Sequence, residues 1–337
     1  MRFNRAILYR FNLPMMVLLW LTASCITDHL DACPNRYVSS FRYTMNLLDA
    51  DAFPRQVSSV MLYAFDSGSG QLAFAGTASG KPLETDGYMM NLNLRPGTYD
   101  VVVWGGLIGN DSFAGLPETP HSIEDLRVRI ASGDESDSFL NPIFHGRACV
   151  TLADNNLSGS TEVHVVEIDL VKNTNIVNVN LVRVDGAPLR KEDFSVRITS
   201  ENALMEADNS VSGRVVYSPW TVNVIESYKD LATTDASVIS PCVHSSELSV
   251  GRLMADARSS LEVFRTSDGV CIASLPLEEN ILLYRHKFYS SMSPQEYLDR
   301  MDTCEISLML TADNSWNSAA EIYINKWATV PVQFIEW

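Results

Sequence analysis

Residues 176–181 read Ile176-Val177-Asn178-Val179-Asn180-Leu181, and this alternation decides the fold class. Val177, Val179 and Leu181 fall on one face, Asn178 and Asn180 on the other. A period of two with one wet face marks a half-buried antiparallel strand. The pattern recurs on both sides of this stretch. Leu126-Arg127-Val128-Arg129-Ile130 and Phe194-Ser195-Val196-Arg197-Ile198 alternate strictly, and Cys304-Glu305-Ile306-Ser307-Leu308-Met309-Leu310 does so except at Met309. Val60-Met61-Leu62-Tyr63-Ala64-Phe65 and Tyr99-Asp100-Val101-Val102-Val103-Trp104 are nearly continuous apolar runs and read as central strands.

Turn chemistry punctuates these runs. Asp66-Ser67-Gly68-Ser69-Gly70 closes a hairpin after Phe65, because glycine supplies positive φ without steric cost. Arg95-Pro96-Gly97 precedes a strand in the same way, with Pro setting one turn dihedral and Gly the next, and Asp185-Gly186 is a third turn site. Helix signals are few. The best is Ser293 to Met301, where Ser293 caps, Pro294 takes the first helical position and Glu296 completes a capping box. The chain therefore reads as all-β. Val163 to Leu170 looks like a closing strand, Lys172 to Asn175 is polar, and Ile176 opens another strand. A boundary near 168–174 gives two pieces, 25–170 and 171–337, each the size of one β-sandwich.

The 337 residues carry 41 acids against 25 bases, a formal net charge of −16, with 46% hydrophobic residues. That apolar content supports a packed core and excludes an acidic disordered chain. The charge argues against nucleic acid, because phosphate binding needs a basic face. It also gives the body no attraction to anionic lipid headgroups.

The first 25 residues contradict "soluble". Arg2, Arg5 and Arg10 precede Leu13-Pro14-Met15-Met16-Val17-Leu18-Leu19-Trp20-Leu21-Thr22-Ala23-Ser24. A basic leader, an apolar run too short to span a bilayer and a small-residue end read as a signal peptide, residues 1–24. Leu21-Thr22-Ala23-Ser24-Cys25 resembles a bacterial lipobox, in which the Cys25 thiol receives a diacylglycerol and becomes the mature N-terminus. The aliphatic residue sits one place further from the cysteine than is usual, and ordinary cleavage near Ser24 is the rival reading. Removing residues 1–24 takes away three bases and no acid, leaving 22 against 41, or −19.

No catalytic constellation stands out. The sequence holds no HExxH, P-loop, GxSxG or GxGxxG opening a helix. His29, His121, His145, His164, His244 and His286 form no pair at metal-ligand spacing, and His164, between two valines, reads as solvent-facing. Asp49-Ala50-Asp51 and Asp134-Glu135-Ser136-Asp137 read as solvated loops before calcium loops. Beyond Cys25 the cysteines are 33, 149, 242, 271 and 304, an odd number with no CxxC. Cys271 and Cys304 sit in apolar strand patterns and read as buried thiols. No cofactor or metal is expected.

An ordered set of short motifs carries a family resemblance. Asp31-Ala32-Cys33-Pro34 follows the lipid cysteine, and Val60 to Asp66 forms an early hydrophobic strand. Leu94-Arg95-Pro96-Gly97-Thr98-Tyr99 leads to Val103-Trp104-Gly105. Phe144-His145-Gly146, Leu170 to Ile176 and Ile324-Asn325-Lys326-Trp327 follow in turn. Together they resemble the fimbrillin-associated anchor lipoproteins of Bacteroidetes, the anchoring subunits of type V pili. Lys172 stands where the pattern expects Arg, and Lys326 where it expects Gly.

The resemblance implies two tandem transthyretin-like antiparallel β-sandwich domains and no enzymatic activity. It implies an acylated lipoprotein of the outer membrane that anchors a fimbrium and limits its length, with pilin subunits as partners and Cys25 as the lipid attachment. Strand addition to an open sheet edge would supply the contact. Trp104 and His145 then read as core and turn residues. Val330 to Trp337 reads as the last strand of the second sandwich before a strand given to a partner, since an exposed apolar strand invites aggregation. The alternative is a surface glycan-binding lipoprotein, which calls for exposed aromatics in a cleft.

Overall fold

A computed structural model of the chain describes residues 35–153, 162–183, 185, 187–225, 242–316 and 322–330. The leader, Cys25, Cys33, Gly186 and residues 331–337 lie outside the described residues, so the readings placed on them remain expectations. The described residues fall into two units, 35–36 with 162–163 and 37–153 with 164–330. In the first, the Arg36 N–H donates to the Glu162 carbonyl at 2.8 Å. The architecture below is that of the second.

Among the described residues strands dominate, in five sheets. The continuous apolar runs are indeed central strands. Ser59–Asp66 and Gly97–Gly105 lie side by side inside a five-stranded sheet that runs Val171–Lys172, Phe144–Leu152, Gly97–Gly105, Ser59–Asp66, Leu72–Ser79. Their continuity has a physical cause: both faces of this sheet are buried, by different cores. Val60, Leu62, Ala64, Val101 and Val103 pack against a three-stranded sheet (Val163–Asp169, Arg36–Arg42, Met89–Leu92) through Tyr37, Phe41, Met90, Leu92 and Ile168. On the other face Tyr63, Phe65, Val102 and Trp104 join the larger core of the C-terminal half.

That larger core lies between a six-stranded sheet (Thr221–Ile225, Cys242–Gly251, Thr174–Arg183, Thr303–Leu310, Ile322–Ile324, Trp327–Thr329) and a five-stranded one (Val270–Pro276, Ser260–Arg265, Phe194–Ser200, Val215–Tyr217, Glu135–Ser136). A small four-stranded sheet adds Val128–Ile130 and Phe113–Ala114 to Leu204–Met205 and Val211–Ser212. The deciding stretch behaves as its alternation requires: Val177, Val179 and Leu181 are wholly buried, while Asn178 and Asn180 are half-buried, with Asn180 Nδ2 donating to Glu305 Oε1 at 3.0 Å. Each large apolar side chain so buried contributes about 1.5–3 kcal/mol. Its pairing is mixed, however. Thr174–Arg183 runs antiparallel to Cys242–Gly251 but parallel to Thr303–Leu310. Alternation reports one buried face and carries no information on the direction of a neighbour.

Four local readings are corrected. Gly97 opens its strand without positive φ; what it supplies is room, since a Cβ there would lie 3.2 Å from Tyr99 Oη. Glu296 does not close a capping box: Ser293 Oγ accepts the Glu296 N–H at 3.1 Å, but the Glu296 carboxylate takes Arg300 Nε at 3.0 Å. Cys271 is exposed although Cys304 is buried. A bulge between Val263 and Phe264 shifts the register of Val270–Pro276, so Cys271 leaves the buried row that Ala273 and Leu275 occupy. His164 is half-buried, its ring 5.5 Å from Tyr37, and the exposed row of that strand is Val163, Val165, Glu167 and Asp169. Buried Ile168, with half-buried Val166, fixes which row turns inward.

The departure at Lys326 has a structural meaning. Ile324 pairs with Trp327, leaving Asn325 and Lys326 as a two-residue hairpin turn with φ of +47° and +67°. Such a turn needs positive φ at both positions, which is why Asn-Gly is its preferred sequence. A lysine there carries steric strain. Lys326→Gly should therefore raise stability by about 0.5–1 kcal/mol. The check is the guanidinium unfolding midpoint, and an unchanged or lowered midpoint would contradict this account.

Candidate interaction surface

The titratable residues are dispersed or already engaged. Among the described residues no three of His, Cys, Asp and Glu come together in a way that would hold a metal ion. The four described cysteines are unpaired thiols. Asp51 Oδ1 accepts the N–H groups of Tyr43 and Phe53, each at 3.0 Å, and Asp49 takes Arg300 Nη1 at 3.1 Å. Glu135–Ser136 forms a short strand beside Val215–Tyr217. His244 is fully buried, with Nε2 3.1 Å from the Lys191 carbonyl and its ring against Phe194.

Trp104 and His145 are cross-strand partners with ring centroids 4.7 Å apart, edge to face. Trp104 is core, as its type suggests. His145 lies within the strand Phe144–Leu152 and is buried, so the turn reading is corrected. Both side chains reach across to the C-terminal half's core: Trp104 Nε1 donates to the Leu126 carbonyl at 3.3 Å, and His145 Nε2 lies 3.0 Å from the Ala207 carbonyl. A carbonyl only accepts, so the neutral ring carries its proton on Nε2. Gly146 completes the motif by absence. A Cβ there would meet Leu170 Cδ2 at 2.7 Å, Ile168 Cγ2 at 2.8 Å and the Asp169 carbonyl at 2.9 Å.

Burial pushes the His145 imidazole pKa down to about 4, with Arg252 and Arg147 acting the same way against the opposing Ala207 hydrogen bond and Asp208. The unfolded chain, with His near 6.5, binds the proton first as pH falls. Stability is then full above pH 6.5 and is lost between there and pH 4, by about 3 kcal/mol for this residue. His244, whose pKa burial also lowers, adds to the same slope. His145→Asn should flatten the dependence across that window. Unfolding midpoints at pH 7.5 and 4.5 test it; an equal drop in both proteins would rule it out.

Interaction by main-chain pairing requires a free strand edge, and the described sheets end in several. Val163–Asp169 is one, but Arg42 binds its Glu167 at 2.6 Å and its Asp169 at 3.1 Å. Val270–Pro276 is bulged and ends in proline. Met89–Leu92, Trp327–Thr329 and Thr221–Ile225 have four, three and five residues. Leu72–Ser79 has eight, with neither charge nor proline. It is the surface that the motif reading passed over. The available signal was the run Leu72-Ala73-Phe74-Ala75-Gly76-Thr77-Ala78-Ser79, uncharged directly after a hairpin turn.

Three aromatic rings are exposed among the described residues: Phe139 and Trp220, each 41% exposed with centroids 5.4 Å apart, and Phe288, 50% exposed with its centroid 5.9 Å from that of Trp327. Among the described residues, three open clefts lie elsewhere. An apolar one runs along Met61, Ile108, Phe113 and Leu116, and two polar ones share Ile123, Glu124 and Arg147.

Residues 30–332 match the family model described as fimbrillin-A associated anchor proteins Mfa1 and Mfa2. No curated protein matches the chain. Among solved structures, a candidate adhesin from Bacteroides thetaiotaomicron is 29% identical with a TM-score of 0.78, covering 89% of this chain and 99% of its own. One of the candidate polysaccharide-binding proteins from the same organism is 25% identical with a TM-score of 0.72, covering 89% and 98%. The fimbrial anchor protein Mfa2 of Porphyromonas gingivalis shares the fold at 16% identity, with a TM-score of 0.63 and coverage of 89% and 100%.

Proposed function

The chain belongs to the family of fimbrillin-A associated anchor proteins, and on that premise we propose that it is an outer-membrane lipoprotein that holds a fimbrium to the cell and limits its length by binding the basal pilin. The lipid on Cys25 is the membrane end. Residues 25–170 and 171–337 are the two sandwich domains, and a free sheet edge is the pilin end. The role is structural and asks no catalysis of any residue. The observation that carries the reading is the family match across residues 30–332, which takes in nearly all of the chain beyond Cys25.

The experiment is a pull-down of the tagged protein from cells that make fimbriae. Fimbrial subunits identified by mass spectrometry are the expected companions, and their absence from the captured material would end the anchor reading.

A second reading, a surface protein that binds glycans, has a specific observation behind it. Phe139 and Trp220 present exposed rings of the kind that stack on sugars, and a relative at 25% identity is described as a candidate polysaccharide-binding protein. Those rings lie outside the three clefts. A glycan array without signal removes this reading.

A further inference from the structure

We propose that Leu72–Ser79 is a strand-accepting edge, onto which an extended segment of a fimbrial subunit adds as the sixth strand of the five-stranded sheet. The proposal rests on the fimbrial-partner reading above and adds a location and a partner chemistry to it.

The edge is open. Leu72–Ser79 is the outermost strand of its sheet and pairs on one side only, with Ser59 through Phe65. No strand among the described residues pairs with its other side, and Met90 of the facing sheet approaches Gly76 without pairing, its Sδ 3.0 Å from where a Cβ would lie. A row of unpaired N–H and C=O groups is a template for another chain, and proteins blunt such rows with lysine, proline, bulges or short length. Three of those devices are missing here and the fourth is confined. One charged residue in five is this chain's average, yet no charge and no proline falls between Leu72 and Ser79. The strand is eight residues long. Its register shift sits at the turn end, between Ala64 and Phe65, and leaves residues 74–79 regular. The other edges carry paired charges, a bulge or fewer residues, so the lack of protection is particular to this one.

The two faces of the edge say what fits it. Phe74, Gly76 and Ala78 turn toward the N-terminal core and remain half open, Phe74 and Ala78 packed against it from the rim. An added strand would finish their burial if its own alternate residues were apolar. Ala75, Thr77 and Ser79 face the other way and are exposed. Small side chains in a row leave room for large or β-branched neighbours across the ladder. The −16 charge of the chain favours a segment without acids and disfavours a second copy of the chain itself. The occupant is thus an alternating, acid-free strand of the partner.

The test places a photo-activatable residue at Ala75 of the full chain in fimbriated cells, with the same residue at exposed Ser274 on another edge as the control. A cross-link to a fimbrial subunit from position 75 and none from 274 is expected. In parallel, Ala75→Lys with Thr77→Lys should cut fimbrial-subunit recovery at least about tenfold while leaving the unfolding midpoint near that of the parent, since both sites are exposed. If the parent captures fimbrial subunits but position 75 gives no cross-link and the double lysine variant captures as well as the parent, the edge assignment fails and the anchor reading survives. A cross-link between two copies of this chain likewise overturns the assignment. If the parent captures no fimbrial subunit, both fall together.

Discussion

Cys25→Ala should shift the protein, and fimbriae with it, from the cell envelope to the medium, lowering the envelope-bound fraction at least about tenfold. No helix among the described residues is long and apolar enough to cross a membrane, and the body, which would carry −19 once residues 1–24 were removed as proposed, is not drawn to anionic headgroups. The two acyl chains of a diacylglycerol each contribute about 0.8 kcal/mol per buried methylene, and two chains hold where one is marginal. Fractionation followed by blotting for the protein and for pilin reads the result. Mass spectrometry of the mature N-terminus separates lipidation at Cys25 from ordinary cleavage near Ser24. Normal, cell-attached fimbriae on the variant strain would remove the anchoring role assigned to Cys25.

The second large effect is thermodynamic. Asp299→Ala should destabilise the fold by about 3–5 kcal/mol, out of the 5–15 typical of a whole domain. Asp299 and Arg252 form a two-pronged pair at 2.8 and 2.9 Å, with each side chain about 10% exposed. Gln295 Nε2 also donates to Asp299 at 2.9 Å, and Arg252 donates to the Asn209 carbonyl. Deleting the carboxylate strands a buried guanidinium without its counter-charge, and the loss reflects that orphaned cation more than the net worth of the pair. Replacing both residues by leucine should therefore recover much of the loss. Guanidinium unfolding of the single and double variants decides the matter: a single variant within 1 kcal/mol of the parent would show that the pair carries no such weight.

Much of the fold was legible because burial writes itself into alternation. The strands at 60–65, 99–104, 176–181, 194–198 and 304–310 could be read directly, and the two nearly continuous runs marked central strands. The helix Leu277–Phe288 could not be read. Its buried positions include Glu278 and Asn280, so no apolar stripe exists to see. Glu278 is kept inside by Ser259, whose Oγ and N–H donate to it at 2.5 and 3.0 Å, and burial raises its pKa. Parallel pairing at 303–310 was invisible for a related reason, since neighbour direction depends on the path of the chain between strands. The open edge at 72–79 was overlooked because its mark is negative: a missing charge is conspicuous only once the strand is known to lie outermost.

The parallel pairing of Thr174–Arg183 with Thr303–Leu310 joins residues about 127 positions apart at the middle of the largest sheet. Closing so long a loop must precede the contacts that reward it, and folds dominated by such contacts form slowly. A ribosome or a translocation pore would have to release residue 310 before that sheet could close. The growing chain thus has a built-in delay, which would suit the export proposed above, since a chain is threaded through a membrane before it takes its final shape.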